Sequence, residues 1–157
     1  MTAAILRDLD EGDWAAILDL ANRSVAAVPG AGAQDVWVNN RRSFDVLAGI
    51  QCHWVAEERG LVVGYCGIES LASEGPTSFR VFVVTEPERR ATLGHRLLER
   101  ALAQLAELGA KNASFTEYAQ DTKFLKFLRE RRFEETDRFE LEDGGEAVTL
   151  SRSLDAH

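Results

Sequence analysis

A pair of arginines between a predicted strand and a predicted helix offers the clearest chemistry in the sequence. Arg89 and Arg90 follow the apolar run that ends at Val84 and precede the helical run that includes Leu97. The first turn of a helix exposes backbone N–H groups with partial positive charge, and adjacent arginines add full charges, which together suit a phosphate. The alternative is that both arginines are solvated loop residues. Their position favours an anion-binding turn.

This turn needs a strand before it and a helix after it, and the residue pattern predicts both. Residues 78–84 have a strand composition, and apolar residues recur at helical spacing from Leu97 to Leu108, with Gly109 placed as a C-cap. The other predicted elements are a helix N-capped by Asp13 that stops at 28–30, a helix over 34–47, strands over 50–56 and 61–68, a strand over 112–118, a helix over 121–131 N-capped by Asp121, and two strands from Phe133 onwards around Gly144 and Gly145. The length of 157 residues fits one domain over 1–157.

Composition argues against several classes of partner. The net charge of -8 repels phosphate backbones and anionic lipid, so neither nucleic acid nor a membrane surface is expected as a partner. The N-terminal residues do not form the apolar stretch of a signal peptide, and no apolar run approaches the ~20 residues that span a bilayer, which predicts a cytoplasmic protein. Two cysteines, Cys52 and Cys66, are too few for a disulfide framework and lack the spacing of a zinc site, so no metal is expected.

The basic turn resembles the acetyl-CoA loop of the GNAT superfamily of acyl-CoA-dependent N-acyltransferases. That loop follows a strand and reads V-x-P-x-x-[RQ]-x-x-G-x-[GA] before a helix with paired leucines. Val84, Arg89, Gly94 and Leu97-Leu98 stand in register with it, whereas Pro87 lies one position late and Thr92 replaces the first glycine.

The resemblance extends over most of the chain. Residues 54–57 and 62–65 are similar to the central hairpin of the family, and Asp121 and Phe133 match the Asn and Phe ends of a further family pattern. Leu128 stands where many members place a tyrosine thought to protonate the leaving thiolate, and Arg132 replaces the glycine before Phe133. These departures leave the identity of the general acid open.

The resemblance implies an α/β fold of the GNAT type, with one mixed, mostly antiparallel central sheet flanked by helices. It also implies that backbone groups near Phe82, Val83 and Val84 pair with the pantetheine arm of acetyl-CoA, and that Asp121 lies near that arm. The residues implied to cradle the pyrophosphate are Arg89, Arg90, Ala91, Thr92, Leu93, Gly94 and His95.

The implied reaction is attack of a neutral amine on a thioester, so an alkylammonium with a pKa near ~10 must lose a proton and a thiolate must leave. Glu117 lies near the end of the strand where the family opens a gap between two strands, and Glu69 ends a nearby strand. We expect a carboxylate, Glu117 ahead of Glu69, to accept the ammonium proton. Tyr118 is a candidate acid. The alternatives are solvent-facing carboxylates and a packing tyrosine.

The sequence therefore predicts an N-acetyltransferase that moves acetyl from acetyl-CoA to a primary amine of a small molecule or peptide by direct attack. One alternative is a catalytically silent acyl-CoA-binding or regulatory domain of the same fold. Another is a protein-interaction domain without cofactor. Assembly as a homodimer is left open.

Three smaller interpretations concern residues outside this constellation. A three-residue loop at 58–60 would place Cys52 directly opposite Cys66 on neighbouring strands, both reduced. His95 is expected to contact phosphate or solvent and not to transfer protons. The run 129–132 is interpreted as a solvated helix end favoured by the helix dipole.

Overall fold

The computed structural model describes residues 4–26, 50–71, 77–140 and 145–154. The strands are β1 (Ile5–Asp8), β2 (Ile50–Glu58), β3 (Leu61–Ser70), β4 (Ser78–Thr85), β5 (Asn112–Tyr118), β6 (Glu134–Glu140) and β7 (Glu146–Ser153). The α-helices are α1 (Trp14–Ala26), α2 (His95–Glu107) and α3 (Thr122–Arg129). The predicted helix over 34–47 lies outside the described residues.

The seven strands of the described residues form one sheet in the order β1-β2-β3-β4-β5-β7-β6. Among these pairs β4 and β5 run parallel, and the others run antiparallel. The expected mixed, mostly antiparallel sheet flanked by helices is confirmed. Strand β1 was not predicted, because four residues on a sheet edge carry too little alternation to be read from sequence.

Each face of the sheet carries its own hydrophobic cluster, because side chains alternate along a strand. On one face, Ile17 and Leu20 of α1 pack against Val55, Tyr65 and Phe82. The opposite face holds the larger cluster, formed by the residues of α2 and α3 together with apolar residues of the sheet, among them Cys66, Leu97, Leu98, Phe115, Leu128 and Phe133. The two faces therefore differ in which helices cover them.

Helix α2 lies very close to β3 at Gly64. A Cβ built on that glycine would lie 2.9 Å from Leu97 Cδ1 and 3.2 Å from Leu93 Cδ2. The absence of a side chain therefore fixes the start of α2 against the sheet. This contact also positions the turn that precedes the helix.

The hairpin of β2 and β3 has a different register from the predicted one. A two-residue turn at Arg59 and Gly60, both with positive φ of 54° and 79°, joins the strands, and a register shift follows between Ala56 and Glu57. Each of these changes moves the pairing by one residue. Cys52 consequently pairs with Ile68, and Cys66 pairs with Trp54, so the prediction that the two cysteines are directly opposite is wrong.

The first helix begins at Trp14 as predicted, but Asp13 has a different role from the predicted one. A 3-10 turn over Glu11–Asp13 precedes α1, so Asp13 is not the N-cap of that helix. Its carboxylate accepts hydrogen bonds from Arg7 at 2.9 and 3.0 Å and from the backbone N–H of Asp10 at 2.8 Å. The Arg7 guanidinium lowers the pKa of Asp13, and the pair ties β1 to the start of the first helix.

Helix α3 is capped as predicted. Asp121 accepts a hydrogen bond from the backbone N–H of Phe124 at 3.2 Å. The helix ends at Arg129, and the interpretation of 129–132 as a wholly solvated end is wrong at Arg131. The Arg131 guanidinium lies 3.7 Å from the ring centroid of Phe127 and donates to the carbonyl of that residue. No helix in the described ranges is both long and apolar enough to cross a membrane.

Candidate active site

Strands β4 and β5 separate before they end. Their pairing runs from Ser78 opposite Asn112 to Arg80 opposite Ser114, although β4 continues to Thr85 and β5 to Tyr118. Beyond these pairs the facing edge of β4 is not bonded to β5. An open strand edge offers backbone donors and acceptors to an extended ligand.

The three residues predicted to hold the pantetheine arm lie along this open stretch. Phe82, Val83 and Val84 are paired with β3 on one side, and their side chains are buried in the two clusters. Their backbone groups are therefore the part that a ligand in the gap between β4 and β5 could reach.

The basic turn, which follows β4, is a compact helical segment. Pro87–Arg89 form a 3-10 turn, Arg90–Gly94 form a π-helical turn, and α2 begins at His95. Ala91 and Thr92 are exposed, whereas Leu93 is buried in the core. The π-helical turn was not predicted, and such turns are frequent at functional sites.

Both arginines of the turn have carboxylate partners. Arg89 donates to the two carboxylate oxygens of Glu58, at 3.2 and 3.0 Å, and this contact lowers the pKa of Glu58. Arg90 Nη1 lies 3.7 Å from Asp121 Oδ1, with the guanidinium 4.5 Å from the ring centroid of Phe124. The alternative of two solvated loop arginines is therefore wrong. Asp121 therefore holds Arg90 close to Glu117, and Glu58 holds Arg89 toward the hairpin of β2 and β3.

Glu117 lies in the part of β5 that β4 does not pair. It follows Phe115 on the face of α2 and α3, and it makes no hydrogen bond or ion pair with the residues described in the structure. Burial and the nearby Asp121 raise the pKa of Glu117 to about 8, against the opposing charges of Arg90 and Arg80. The carboxyl is protonated at neutral pH and ionises just above it.

Glu69 lies on the other face of the sheet. It shares that face with Tyr65, and its carboxylate is 3.4 Å from Arg80 Nη1 of β4. Arg80 is the last residue of β4 paired with β5, and its buried Nε has no hydrogen-bond partner among the described residues. The two predicted carboxylates are thus on opposite faces of the sheet, Glu117 on β5 and Glu69 on β3. Sequence reasoning missed Arg80, although a charged residue within the apolar run of β4 was a visible signal.

Three other predicted residues occupy different places around the site. Tyr118 is buried and, by strand alternation, on the face opposite Glu117. His95 Nδ1 accepts a hydrogen bond from Arg131 Nε at 3.1 Å, and Thr92 Oγ1 donates to the carbonyl of Arg89 at 3.3 Å. Among the described residues no group of three or more His, Cys, Asp or Glu side chains could hold a metal ion.

Comparison of the sequence with known protein families identifies the family of this chain. The model of the acetyltransferase (GNAT) family matches residues 14–133, a span that includes both strands of the gap and the basic turn. The chain belongs to the GNAT acetyltransferase family. No curated protein sequence matches it.

Solved structures share the fold over nearly the whole chain. One is yncA from Salmonella typhimurium with its cofactor acetyl-CoA, at 19% identity and a TM-score of 0.71, covering 99% of this chain and 96% of that one. A phosphinothricin acetyltransferase from Sinorhizobium meliloti in complex with acetyl-CoA is 20% identical, with a TM-score of 0.70 and coverage of 98% and 89%. A ribosomal-protein-alanine N-acetyltransferase from Brucella melitensis is also 20% identical, with a TM-score of 0.69 and coverage of 96% and 99%.

Proposed function

We propose that this GNAT acetyltransferase transfers the acetyl group of acetyl-CoA to a primary amine by direct attack in the gap between β4 and β5. The observation that carries the proposal is the early end of β4–β5 pairing at Arg80 and Ser114, next to a basic turn. An open strand edge followed directly in the chain by a helical turn with two arginines fits an amide-containing arm that ends in phosphates.

The residues present fit acetyl-CoA. The open backbone of Phe82 to Val84 is placed to pair with the amides of the pantetheine arm. The turn from Arg89 to His95 follows directly and binds the pyrophosphate. When the phosphate binds, Arg89 either leaves Glu58 or contacts both groups, and Arg90 does the same with Asp121. Carboxylate partners of this kind keep the guanidinium groups oriented before a phosphate arrives.

The acyl donor supplies a thioester, and the protein must manage two protons. Glu117 accepts a proton from the ammonium, and the neutral amine nitrogen forms a bond to the carbonyl carbon. The carbon–sulfur bond then breaks, the nitrogen gives up a second proton, and the thiolate takes up a proton to leave as the CoA thiol. Leu128, at the family position of the acid, is fully buried and apolar. Tyr118 is our candidate for the acid.

A base that ionises near pH 8 suits an amine substrate. Below that pKa Glu117 holds its proton and cannot act, whereas above it the carboxylate is free to take one. Glu69, held by Arg80 on the other face, is the second candidate.

The acceptor belongs to one of two classes. The similar structures include an enzyme named for the small molecule phosphinothricin and one named for an alanine of a ribosomal protein. We therefore propose a small-molecule or peptide amine for this chain. A cytoplasmic location and a homodimer are predictions that the structure does not test.

The test is a thiol-release assay with acetyl-CoA over a panel of small amines and peptide N-termini. Release of one CoA thiol for each amine acetylated supports the proposal. Calorimetry with acetyl-CoA separates the alternatives: binding without release over the whole panel would indicate a silent acyl-CoA-binding domain, and absence of binding would indicate a domain that works without cofactor.

A further inference from the structure

A second cleft lies on the α2 face of the sheet, away from the gap between β4 and β5. It has a volume of about 310 Å³ and is lined by residues of β1, β2 and α2, including Asp8, Cys52, Trp54, Arg100 and Gln104. Strand β2 is two strands from β4, or roughly 10 Å by strand spacing. The catalytic proposal uses none of these residues.

Two opposite charges line this cleft. Asp8 pairs with Trp54 across β1 and β2, and the guanidinium of Arg100 lies 4.5 Å from the ring centroid of the same tryptophan. Neither Asp8 nor Arg100 has a side-chain ion pair or hydrogen bond among the described residues. The other arginines in contact with an aromatic ring, Arg90 and Arg131, also have hydrogen-bond or charged partners.

The guanidinium of Arg100 is held in place and has a polar neighbour in Gln104. Stacking on the indole of Trp54 orients the guanidinium of Arg100 and leaves its N–H groups as donors. Gln104 is four residues further along α2 and therefore on the same side of the helix. An arginine and an amide on one wall form a site for a carboxylate, and Asp8 on the facing strand is a partner for an ammonium.

We propose that this cleft binds a small zwitterion of the α-amino acid class, with its carboxylate on Arg100 and Gln104 and its ammonium on Asp8. Trp54 and Cys52 supply the less polar floor, which leaves room for an aliphatic side chain. The carboxylate and ammonium of such a ligand supply the ion-pair partners that the side chains of Arg100 and Asp8 lack among the described residues. This site is distinct from the acceptor position in the gap.

The experiment is a titration of the ¹⁵N-labelled protein with L-leucine, without acetyl-CoA, followed by the indole N–H resonance of Trp54, assigned by its loss in Trp54→Phe. We expect a saturable shift. 4-Methylpentanoate lacks the ammonium, and isoamylamine lacks the carboxylate. Each should bind more weakly than L-leucine by a factor of about ten or more, which corresponds to a loss of at least 1.4 kcal/mol of binding free energy.

Variants of the charged residues test where L-leucine binds. Arg100→Gln and Asp8→Asn should each weaken the binding of L-leucine by about tenfold or more, whereas Arg129→Gln, which changes an exposed arginine at the end of α3, should leave it within twofold. A Trp54 resonance that does not move at concentrations up to roughly 10 mM would overturn the proposal, as would equal binding of 4-methylpentanoate or undiminished binding in both variants. Because no acetyl donor is present, the result is independent of the proposed acetyl transfer.

Discussion

Replacement of Glu117 by glutamine is expected to lower kcat/KM by about 10²-fold or more, because the variant has no carboxylate to take the ammonium proton. The same replacement should make the protein more stable in alkaline solution. The gain in stability follows from the buried position of the carboxyl in the unpaired part of β5. Initial rates and urea unfolding measured at several pH values test the two together.

The sign of the stability effect follows from the raised pKa. Folded protein binds the Glu117 proton up to about pH 8, whereas the unfolded chain releases it near the ordinary value of 4.5. The free energy of unfolding therefore falls as pH rises between these values, and the loss is complete above pH 8. Glu117→Gln should remove that slope and exceed the stability of wild type by up to about 5 kcal/mol above pH 8.

Wild-type kcat/KM should rise with pH through an apparent pKa near 8. Asp121→Asn keeps a helix cap but removes a negative charge near Glu117, so it should move this rise to lower pH. Glu69→Gln is the matched control on the other face of the sheet. Full activity of Glu117→Gln together with loss of activity in Glu69→Gln would transfer the role of base to Glu69.

Replacement of Arg89 and Arg90 together by glutamine is expected to weaken acetyl-CoA binding by about 30-fold or more. Loss of two charge-assisted contacts to phosphate costs on the order of 2 to 4 kcal/mol. Glutamine is preferred to a reversed charge because Glu58 and Asp121 lie against these positions and would repel a new carboxylate. Isothermal calorimetry gives the affinity, and the far-ultraviolet circular dichroism spectrum checks the fold.

Two further variants complete this test. Glu58→Gln frees Arg89 from its carboxylate partner and should leave acetyl-CoA affinity equal or higher. Arg129→Gln with Arg138→Gln removes two exposed arginines at a distance from the turn and should have no effect. An affinity of the Arg89 and Arg90 double variant within twofold of wild type would show that the pyrophosphate binds elsewhere.

Local patterns were enough to predict the parts of the site that depend on local structure. The strand, basic turn and helix around Arg89 follow from changes of hydrophobic period, and the cap at Asp121 follows from a short polar side chain before an apolar helical run. The family motif added the assignment of this turn to a cofactor. These features each involve residues close together in sequence.

Features that depend on long-range pairing could not be predicted. The partners of Arg89 and Arg90 come from β2 and from the cap of α3, and no spacing in the sequence indicates them. The register of β2 and β3 depends on a turn type and a shift at Ala56, each worth one residue, so counting along the chain misplaced Cys52. The early separation of β4 from β5 is likewise set by the whole sheet.

The two cysteines bear on a covalent route, in which a cysteine would first take the acetyl group and then pass it to the amine. Burial raises the pKa of both Cys52 and Cys66, and a thiol is a poor nucleophile while it keeps its proton. Both cysteines lie on β2 and β3, outside the gap between β4 and β5. An acyl-cysteine intermediate therefore has no support in the geometry.

Intact-protein mass spectrometry after incubation with acetyl-CoA, with and without an amine that the panel identifies as acceptor, tests direct transfer in this gap most directly. The account predicts that without amine the protein mass is unchanged and no thiol is released, and that with amine one CoA thiol appears for each acetylated product. It also predicts that Cys52→Ser and Cys66→Ala keep this stoichiometry. A protein that gains one acetyl group on either cysteine in the absence of amine, and loses it to amine added later, would contradict the account.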